Sequence, residues 1–145
     1  MIASTEREPF HATVAVRVDD LDTNGHVRGP AYLLYADQAR WECVQAAGVD
    51  LAALRAHDLG PVNLETTVRF HRELTSSGAV EVSCRFLWGK GRTSRVVQEL
   101  RAGDGGLVAE VESVSGLLDL TRRRLVADPP RRWREHATRP WLLGL

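Results

Sequence analysis

The sequence is short of cysteine and has no excess charge of either sign. Its two cysteines, Cys43 and Cys84, are too few for a disulfide framework. They fall in a helix pattern and a strand pattern, so we expect buried, unreactive thiols. Basic and acidic residues number 19 each, which argues against nucleic acid or a membrane surface as a partner. At 145 residues the chain suits one domain with a sizeable core.

Long apolar runs are also missing. No stretch is long enough to span a bilayer, and the first nine residues form a polar segment without the apolar core of a signal peptide. These features predict a cytoplasmic protein. No spacing typical of a metal site, a phosphate-binding loop or a dinucleotide fingerprint occurs, so neither a metal nor a cofactor is expected.

The most informative stretch of the sequence is residues 19–40. An acidic turn holding Asn24-Gly25 leads directly into a long apolar helix pattern. Glycine accepts a positive φ, so the chain can reverse tightly there, and Pro30 fits the first turn of the helix. The Asp22 carboxylate is thereby held a few residues ahead of a helix N-terminus, whose free N–H groups and partial positive charge can stabilise an oxyanion. This arrangement indicates acyl-transfer chemistry.

Hydrophobic periodicity predicts the elements around this stretch. Strict alternation over residues 10–18 is typical of a half-buried strand, and helical spacing over 31–47 predicts a long helix that Gly48 ends. A short second helix is predicted over 51–57. Because apolar residues surround almost the whole long helix, we expect it to be mostly enclosed.

The remainder of the domain is predicted to be sheet. Four more strands are expected, over residues 62–71, 80–88, 93–101 and 107–120, with turns at 76–78, 89–91 and 104–106. A change of apolar phase predicts a β-bulge near Glu112–Ser113. Consecutive hairpin-type links favour an antiparallel sheet, and a long apolar helix needs a large covering surface. The sequence therefore predicts an α+β fold in which a curved sheet wraps around one helix.

Composition divides the chain at about residue 120. We expect a domain over 1–120 and an Arg/Pro-rich extension over 121–145, packed on that domain through Trp133 and Trp141. We expect the extension to be peripheral, so that 131–145 could be removed at little cost. A phosphate or nucleic-acid patch is the alternative interpretation, which the zero charge of the whole chain disfavours.

A family resemblance accompanies this pattern. The motif D-x-D-x-x-G-H-V followed by a tyrosine and an arginine is formed by Asp20, Asp22, Gly25, His26, Val27, Tyr32 and Arg40. It resembles the signature of hotdog-fold acyl-CoA thioesterases of the 4-hydroxybenzoyl-CoA thioesterase type, over residues 13–120. The resemblance implies a hotdog fold.

The resemblance also implies roles for three residues near the turn. Asp22 matches the nucleophile or general base that acts on a thioester carbonyl, while the alternative is a turn-forming aspartate. Gly29 matches the residue whose N–H forms the oxyanion hole, or it is a helix-entry glycine. His26 orients the substrate or a water, or it is structural.

Further residues are expected to bind substrate or hold the site. Tyr32 lines the pocket or packs in the core, and His57 borders a site between subunits or is a bystander. The family's strand link that flanks CoA is matched by Lys90, Arg92, Thr93 and Ser94, which would also suit a solvated turn. Arg28 and Pro30 depart from the asparagines common in the family, and Arg28 meets a carboxylate or phosphate or faces solvent.

Two more charged residues of the motif are expected to be structural. Asp20 is predicted to support the turn, and Arg40 to form an ion pair with Asp19 or Asp37.

Together these features predict hydrolysis of an acyl-CoA or acyl-carrier-protein thioester without a cofactor. Two alternatives stay open: hydration or amine addition at an enoyl thioester on the same fold, and a non-catalytic acyl-thioester sensor. Exposed sheet edges are costly, so the strand over 61–71 is expected to pair with its copy, giving a homodimer or a dimer of dimers.

Overall fold

The computed structural model describes residues 8–75 and 78–145. The elements in chain order are β1 (Phe10–Ala15), a 3-10 turn (Val18–Asp20), α1 (Gly29–Ala46), α2 (Leu51–Ala56), β2 (Leu59–Phe70), β3 (Ala79–Trp88), β4 (Thr93–Arg101), β5 (Leu107–Asp119), β6 (Arg124–Leu125), α3 (Pro129–His136) and a second 3-10 turn (Pro140–Leu143). The predicted α+β hotdog architecture, a curved antiparallel sheet around one long helix, is confirmed.

The strands lie in the order β1-β3-β4-β5-β2, with β6 beside β5. All pairs are antiparallel, as predicted. The prediction of consecutive hairpin links is wrong at one step, because β2 pairs with β5 and not with β3. The segment after β2 crosses to the start of α1, where the Leu74 N–H donates to the Tyr32 hydroxyl and the Leu74 carbonyl accepts from the Val27 N–H. Residues 76 and 77 of the predicted turn at 76–78 lie outside the described residues.

Helix α1 has one buried face and one exposed face. The buried residues recur at helical spacing: Ala31, Tyr32, Tyr35, Ala36, Ala39, Arg40, Cys43 and Val44. On the other face Leu33, Leu34 and Trp41 are 38%, 63% and 36% exposed, so the expectation of an almost fully enclosed helix is wrong. The sheet of a single chain covers only one side of the helix. The helix ends as predicted, with Gly48 at φ +82°.

Two strand details differ from the sequence prediction. β1 ends at Ala15, and Val18 lies in a 3-10 turn with its side chain exposed. No bulge occurs at Glu112–Ser113, because β5 keeps its alternation over residues 109–115 and turns Ser113 inward. The register irregularities lie instead at Leu64 of β2 and at Val108 near the start of β5. Apolar pattern alone misplaced the bulge, since some inward residues of β5 are small and polar.

A buried arginine explains one of these inward polar residues. The Arg40 guanidinium donates to Asn63 Oδ1 at 2.5 Å and to Ser115 Oγ at 2.9 Å. The expected ion pair of Arg40 with Asp19 or Asp37 is therefore wrong. Burial lowers the pKa of Arg40, the nearby Asp37 partly opposes this, and Asn63 and Ser115 supply neutral hydrogen-bond acceptors.

The C-terminal segment contributes to the core. Trp133 and Leu143 are buried with Cys43 and Ala47 at the end of α1, and the Trp88 indole N–H donates to the Leu143 carbonyl at 2.6 Å. The expectation that residues 131–145 are peripheral is therefore wrong. The boundary at residue 120 stays a prediction. Both cysteines are free and buried, as expected.

Candidate active site

The loop between the first 3-10 turn and α1 is held by the side chain of Asp22. Its Oδ1 accepts hydrogen bonds from the N–H groups of Asn24 at 2.9 Å and His26 at 3.0 Å. The Asp22 N–H donates to the His26 carbonyl at 2.8 Å, and Gly25 takes a φ of +76° at the tip. The hydrogen bond from His26, with a smaller one from Asn24, lowers the pKa of the Asp22 carboxyl below its ordinary 3.8. The exposed carboxylate is thus ionised at neutral pH.

Asp20 fixes this loop to the helix. It is buried and accepts a hydrogen bond from the Tyr35 hydroxyl at 2.7 Å, while its carbonyl accepts from the Arg28 N–H at 2.8 Å. Burial and the carboxylate together raise the pKa of Tyr35, so its hydroxyl stays a donor. The predicted structural role of Asp20 follows from these bonds.

The first turn of α1 leaves one backbone donor free. Pro30 has no N–H, and the Ala31 N–H donates to the Arg28 carbonyl at 2.9 Å. Among the described residues, the Gly29 N–H has no hydrogen-bond partner. It lies where the helix dipole places partial positive charge. The helix start therefore offers Gly29 as its donor for an anionic oxygen.

Gly29 borders an open groove of about 380 Å³, the Gly29 groove, between the start of α1 and the end of β2. Its lining consists of Val27, Gly29, Tyr32, Phe70, His71, Arg72 and Glu73. The rings of Tyr32 and Phe70 meet edge to face with centroids 5.1 Å apart. Burial raises the pKa of Tyr32, whose oxygen accepts from the Leu74 N–H. One wall of the groove is thus aromatic, and its rim is charged.

His26 stands at the rim of this groove, in contact with Glu73. Its Nε2 lies 3.2 Å from Glu73 Oε2. The sequence analysis did not identify Glu73, Phe70 or His71 as site residues. No local motif marks them, because the end of β2 reaches α1 only through long-range sheet pairing. The one signal in the sequence that could have pointed to this part of the site is the run of charged residues that directly follows the alternating strand β2.

The structure brings some of the predicted site residues together and separates others. Gly29 and Tyr32 line the groove, while Asp22 and His26 belong to the loop beside it. Arg28 is exposed, and its guanidinium donates to the Asp19 carbonyl at 3.4 Å.

His57 lies elsewhere, at the C-terminal end of α2. Its ring packs edge to face on His136 with centroids 4.9 Å apart. Its Nδ1 is 2.8 Å from the Ala53 carbonyl oxygen. Within one chain, these contacts place His57 outside the groove.

The link before β4, with Lys90, Arg92, Thr93 and Ser94, lies at the far end of the sheet from the groove. Thr93 pairs with Gly116 of β5, whereas Phe70 at the groove pairs with Ala109. Ala109 and Gly116 are seven steps apart along β5, or about 23 Å at the rise of a strand. A single chain therefore does not join this link to Gly29.

Other kinds of site were sought among residues 8–75 and 78–145. They contain no group of three or more side chains able to hold a metal ion. No helix in this part of the chain is both long and apolar enough to cross a membrane.

The sequence matches the family model of the thioesterase-like superfamily over residues 16–140. The chain belongs to this superfamily. Comparison with curated proteins gave no match.

Solved structures of the superfamily's fold resemble the chain over most of its length. YbaW, a probable thioesterase from Escherichia coli, has a TM-score of 0.77 at 20% identity, covering 88% of this chain and 98% of its own. Slr0204, a 1,4-dihydroxy-2-naphthoyl-CoA thioesterase from Synechocystis, has a TM-score of 0.78 at 16% identity, covering 88% and 93%. The protein SAV2348 from Staphylococcus aureus, in complex with CoA, has a TM-score of 0.78 at 16% identity, covering 94% and 90%. These likenesses establish the fold.

Proposed function

We propose that this member of the thioesterase-like superfamily hydrolyses the thioester of an acyl-CoA or an acyl-carrier protein. The observation that carries the proposal is the Gly29 N–H at the start of α1, which has no partner among the described residues and belongs to a residue lining the groove, with the ionised Asp22 in the loop just before it. A thioester carbonyl bound there would place its oxygen on this donor. Negative charge that develops on the oxygen during attack is stabilised by the N–H group and the helix dipole.

Asp22 supplies the attacking or activating carboxylate. Its lowered pKa makes it a weak proton acceptor, since a general base works best with a pKa near the working pH. This favours direct attack. The carboxylate oxygen adds to the carbonyl carbon, the C–S bond breaks, the electron pair leaves with sulfur, and a mixed anhydride remains. Water then cleaves the anhydride, releasing the acid and restoring the Asp22 carboxylate.

His26 is placed to assist both steps. Its backbone holds the Asp22 carboxylate, and its Nε2 is paired with Glu73. A carboxylate partner orients an imidazole. His26 is thus placed to exchange a proton with water or with the leaving thiolate, while Tyr32 and Phe70 contact the acyl group.

The proposed enzyme acts as a dimer through β2. This strand pairs on one side with β5, and its other edge has no partner strand among the described residues. Most of its residues from Leu64 to Phe70 are exposed, including both of these apolar side chains. Pairing with a second copy would cover this edge and extend the sheet across a two-fold axis.

The names of the structural neighbours fit this substrate class. They include a complex with CoA, a naphthoyl-CoA thioesterase and a 12:0-ACP thioesterase from Umbellularia californica. Which acyl group is cleaved, and whether the carrier is CoA or a carrier protein, is to be determined by the experiment that tests the proposal.

A panel of acyl-CoA and acyl-carrier-protein thioesters tests the proposal. We expect release of free thiol and of the carboxylic acid. A product whose mass shows water or an added amine on an intact enoyl thioester would replace hydrolysis with the lyase reaction. Binding without any product would make the protein an acyl-thioester sensor.

A further inference from the structure

The segment that follows β2, residues 71–75, joins the sheet to the loop that precedes α1, and we call it the strap. The Leu74 carbonyl accepts a hydrogen bond from the Val27 N–H at 2.8 Å. Thr75 forms an isolated antiparallel bridge with His26. The strap therefore lies against the end of the loop as a short second strand.

A tyrosine hydroxyl links the strap to the helix. The Leu74 N–H donates to the Tyr32 oxygen at 3.2 Å, and the two residues are 5% and 3% exposed. Buried N–H groups are normally paired, and among the described residues Tyr32 is the only acceptor for this one. Tyr32 lies three residues after Gly29 on α1. This hydrogen bond thus fixes the strap to the helical turn that presents the Gly29 N–H.

The strap also brings a carboxylate to the loop. Glu73 directly precedes Leu74, and its Oε2 lies 3.2 Å from His26 Nε2. The backbone N–H of His26 in turn donates to Asp22 Oδ1 at 3.0 Å. A continuous series of contacts therefore runs from the Tyr32 hydroxyl through the strap to the Asp22 carboxylate.

The sheet holds the opposite end of the strap independently of the hydroxyl. The N–H groups of His71 and Arg72 both donate to the Val108 carbonyl, at 2.9 Å and 3.2 Å. The Arg72 guanidinium also donates to Asp104 Oδ1 at 2.9 Å. Loss of the tyrosine hydroxyl would therefore loosen only the end of the strap that faces the loop.

We propose that Tyr32 is a positioning residue whose hydroxyl sets the place of the Asp22–His26 loop relative to the Gly29 N–H. Attack on a thioester needs the carboxylate and the oxyanion donor at a fixed separation, because a displacement of about 1 Å can cost about 10²-fold in rate. The effect on catalysis rests on the proposed function, whereas the effect on the loop does not. This role is separate from that of the Tyr32 ring, which forms the groove wall with Phe70.

Tyr32→Phe separates the two roles, because it keeps the ring and removes the hydroxyl. Hydrogen exchange measured by NMR on the full chain should be faster at the Leu74 and Val27 amides and unchanged at the sheet end of the strap. We expect kcat for acyl-CoA hydrolysis to fall by about five- to tenfold, which corresponds to the loss of one hydrogen bond. KM should change little, since the ring remains. The matched control Trp88→Phe removes one side-chain hydrogen bond elsewhere in the core, to the Leu143 carbonyl, and should leave kcat unchanged.

A double-mutant cycle with Glu73→Gln tests the path through the strap. If the hydroxyl acts by holding Glu73 against His26, the kcat loss in Tyr32→Phe/Glu73→Gln should be smaller than the product of the two single losses. Losses that multiply would overturn the proposal, because the hydroxyl would then act independently of the strap. An unchanged kcat in Tyr32→Phe, or an equal loss in Trp88→Phe, would overturn it as well.

The exchange measurement distinguishes this proposal from the proposed function. If the unaltered chain hydrolyses no thioester, the proposed enzyme is refuted, and the exchange rates alone decide whether Tyr32 holds the loop. Faster exchange at Leu74 and Val27 in Tyr32→Phe would retain the positioning role, and unchanged exchange would refute it.

Discussion

At the scale of single residues, Asp22 combines a structural and a proposed chemical role on its two oxygens. Oδ1 holds the turn through the N–H groups of Asn24 and His26, while Oδ2 has no hydrogen-bond partner among the described residues. The two possibilities that the sequence left open, turn former and catalyst, are therefore compatible. An asparagine keeps an acceptor for the turn and removes the charge, which makes it the appropriate substitution.

Asp22→Asn should lower kcat for thioester hydrolysis by about 10²–10⁴-fold, the usual contribution of a positioned acid, base or nucleophile. Binding of acyl-CoA should survive, because the Gly29 N–H remains as a donor to the thioester carbonyl oxygen. Steady-state hydrolysis and titration of the variant with acyl-CoA measure the two effects. His26→Ala is the companion variant. Near-full turnover in Asp22→Asn together with none in His26→Ala would move the reaction to the histidine and favour the lyase chemistry.

The pH dependence of kcat/KM separates the same two residues. An ionised Asp22 is required, so the rate should fall only as pH falls through its pKa. The backbone hydrogen bonds lower that pKa, which places the acid limb below 3.8. If His26 were the base, the profile would instead change in the His26→Ala variant. Tryptophan fluorescence over the same pH range shows whether the chain stays folded. An acid limb above 3.8 with a folded chain would contradict the role given to Asp22.

At the scale of elements, sequence patterns predict those features of the fold that depend on residues close together in the sequence. The course of α1, its end at Gly48 and the hairpins joining β3, β4 and β5 follow from spacing and turn residues. The position of β2 beside β5 does not, because it depends on contacts far apart in sequence. For the same reason the turn and Gly29 were predictable parts of the site, whereas Glu73 was not. The polar interior at Ser115 was hidden because its partner Arg40 lies 75 residues away.

The two faces of α1 should respond oppositely to one substitution. Ala39 is fully buried, so Ala39→Glu places an unpaired carboxylate in the core, at a cost of several kcal/mol that would remove most of a typical domain's stability. Leu34→Glu, on the exposed face, should fold. Urea denaturation followed by circular dichroism compares them. A stable Ala39→Glu protein would show that the helix is wrongly oriented.

The C-terminal segment should stabilise the domain measurably. Trp133 is buried at the end of α1, and Trp133→Ala should reduce the free energy of unfolding by about 3–5 kcal/mol. Trp141 is 45% exposed, so Trp141→Ala should cost less. Removal of residues 131–145 should give insoluble or unfolded protein. A truncated chain with unchanged thermal stability would contradict this account and restore the original expectation of a peripheral extension.

At the scale of the whole molecule, the free edge of β2 connects the separate features. One chain has the Gly29 groove at one end of the sheet and, at the other end, a cavity of about 370 Å³ whose lining includes Arg92, Arg122, Arg124 and Arg132. A two-fold axis at β2 would bring them together in pairs. The exposed Leu64 and Phe70 would also be covered. The proposed dimer thus accounts for an exposed edge, exposed apolar residues and a distant cationic pocket.

Sedimentation and subunit mixing test this dimer. We expect a dimer at micromolar concentration, and only monomer there would rule it out. Asp22→Asn lacks the attacking carboxylate, and Arg122→Gln/Arg124→Gln lacks two cations that the dimer would place at the same end of the sheet as the partner's Gly29 groove. Each variant should therefore be a poor enzyme at low acyl-CoA concentration. When the two variants are coexpressed, they form mixed dimers with two different sites. One site combines the intact Asp22 of the arginine variant with the intact arginines of the Asp22→Asn chain, and the other site carries both changes. Since random assembly makes about half of the dimers mixed, roughly a quarter of the wild-type activity should return. Activity no higher than the mean of the two parent variants would show that each chain builds its site alone.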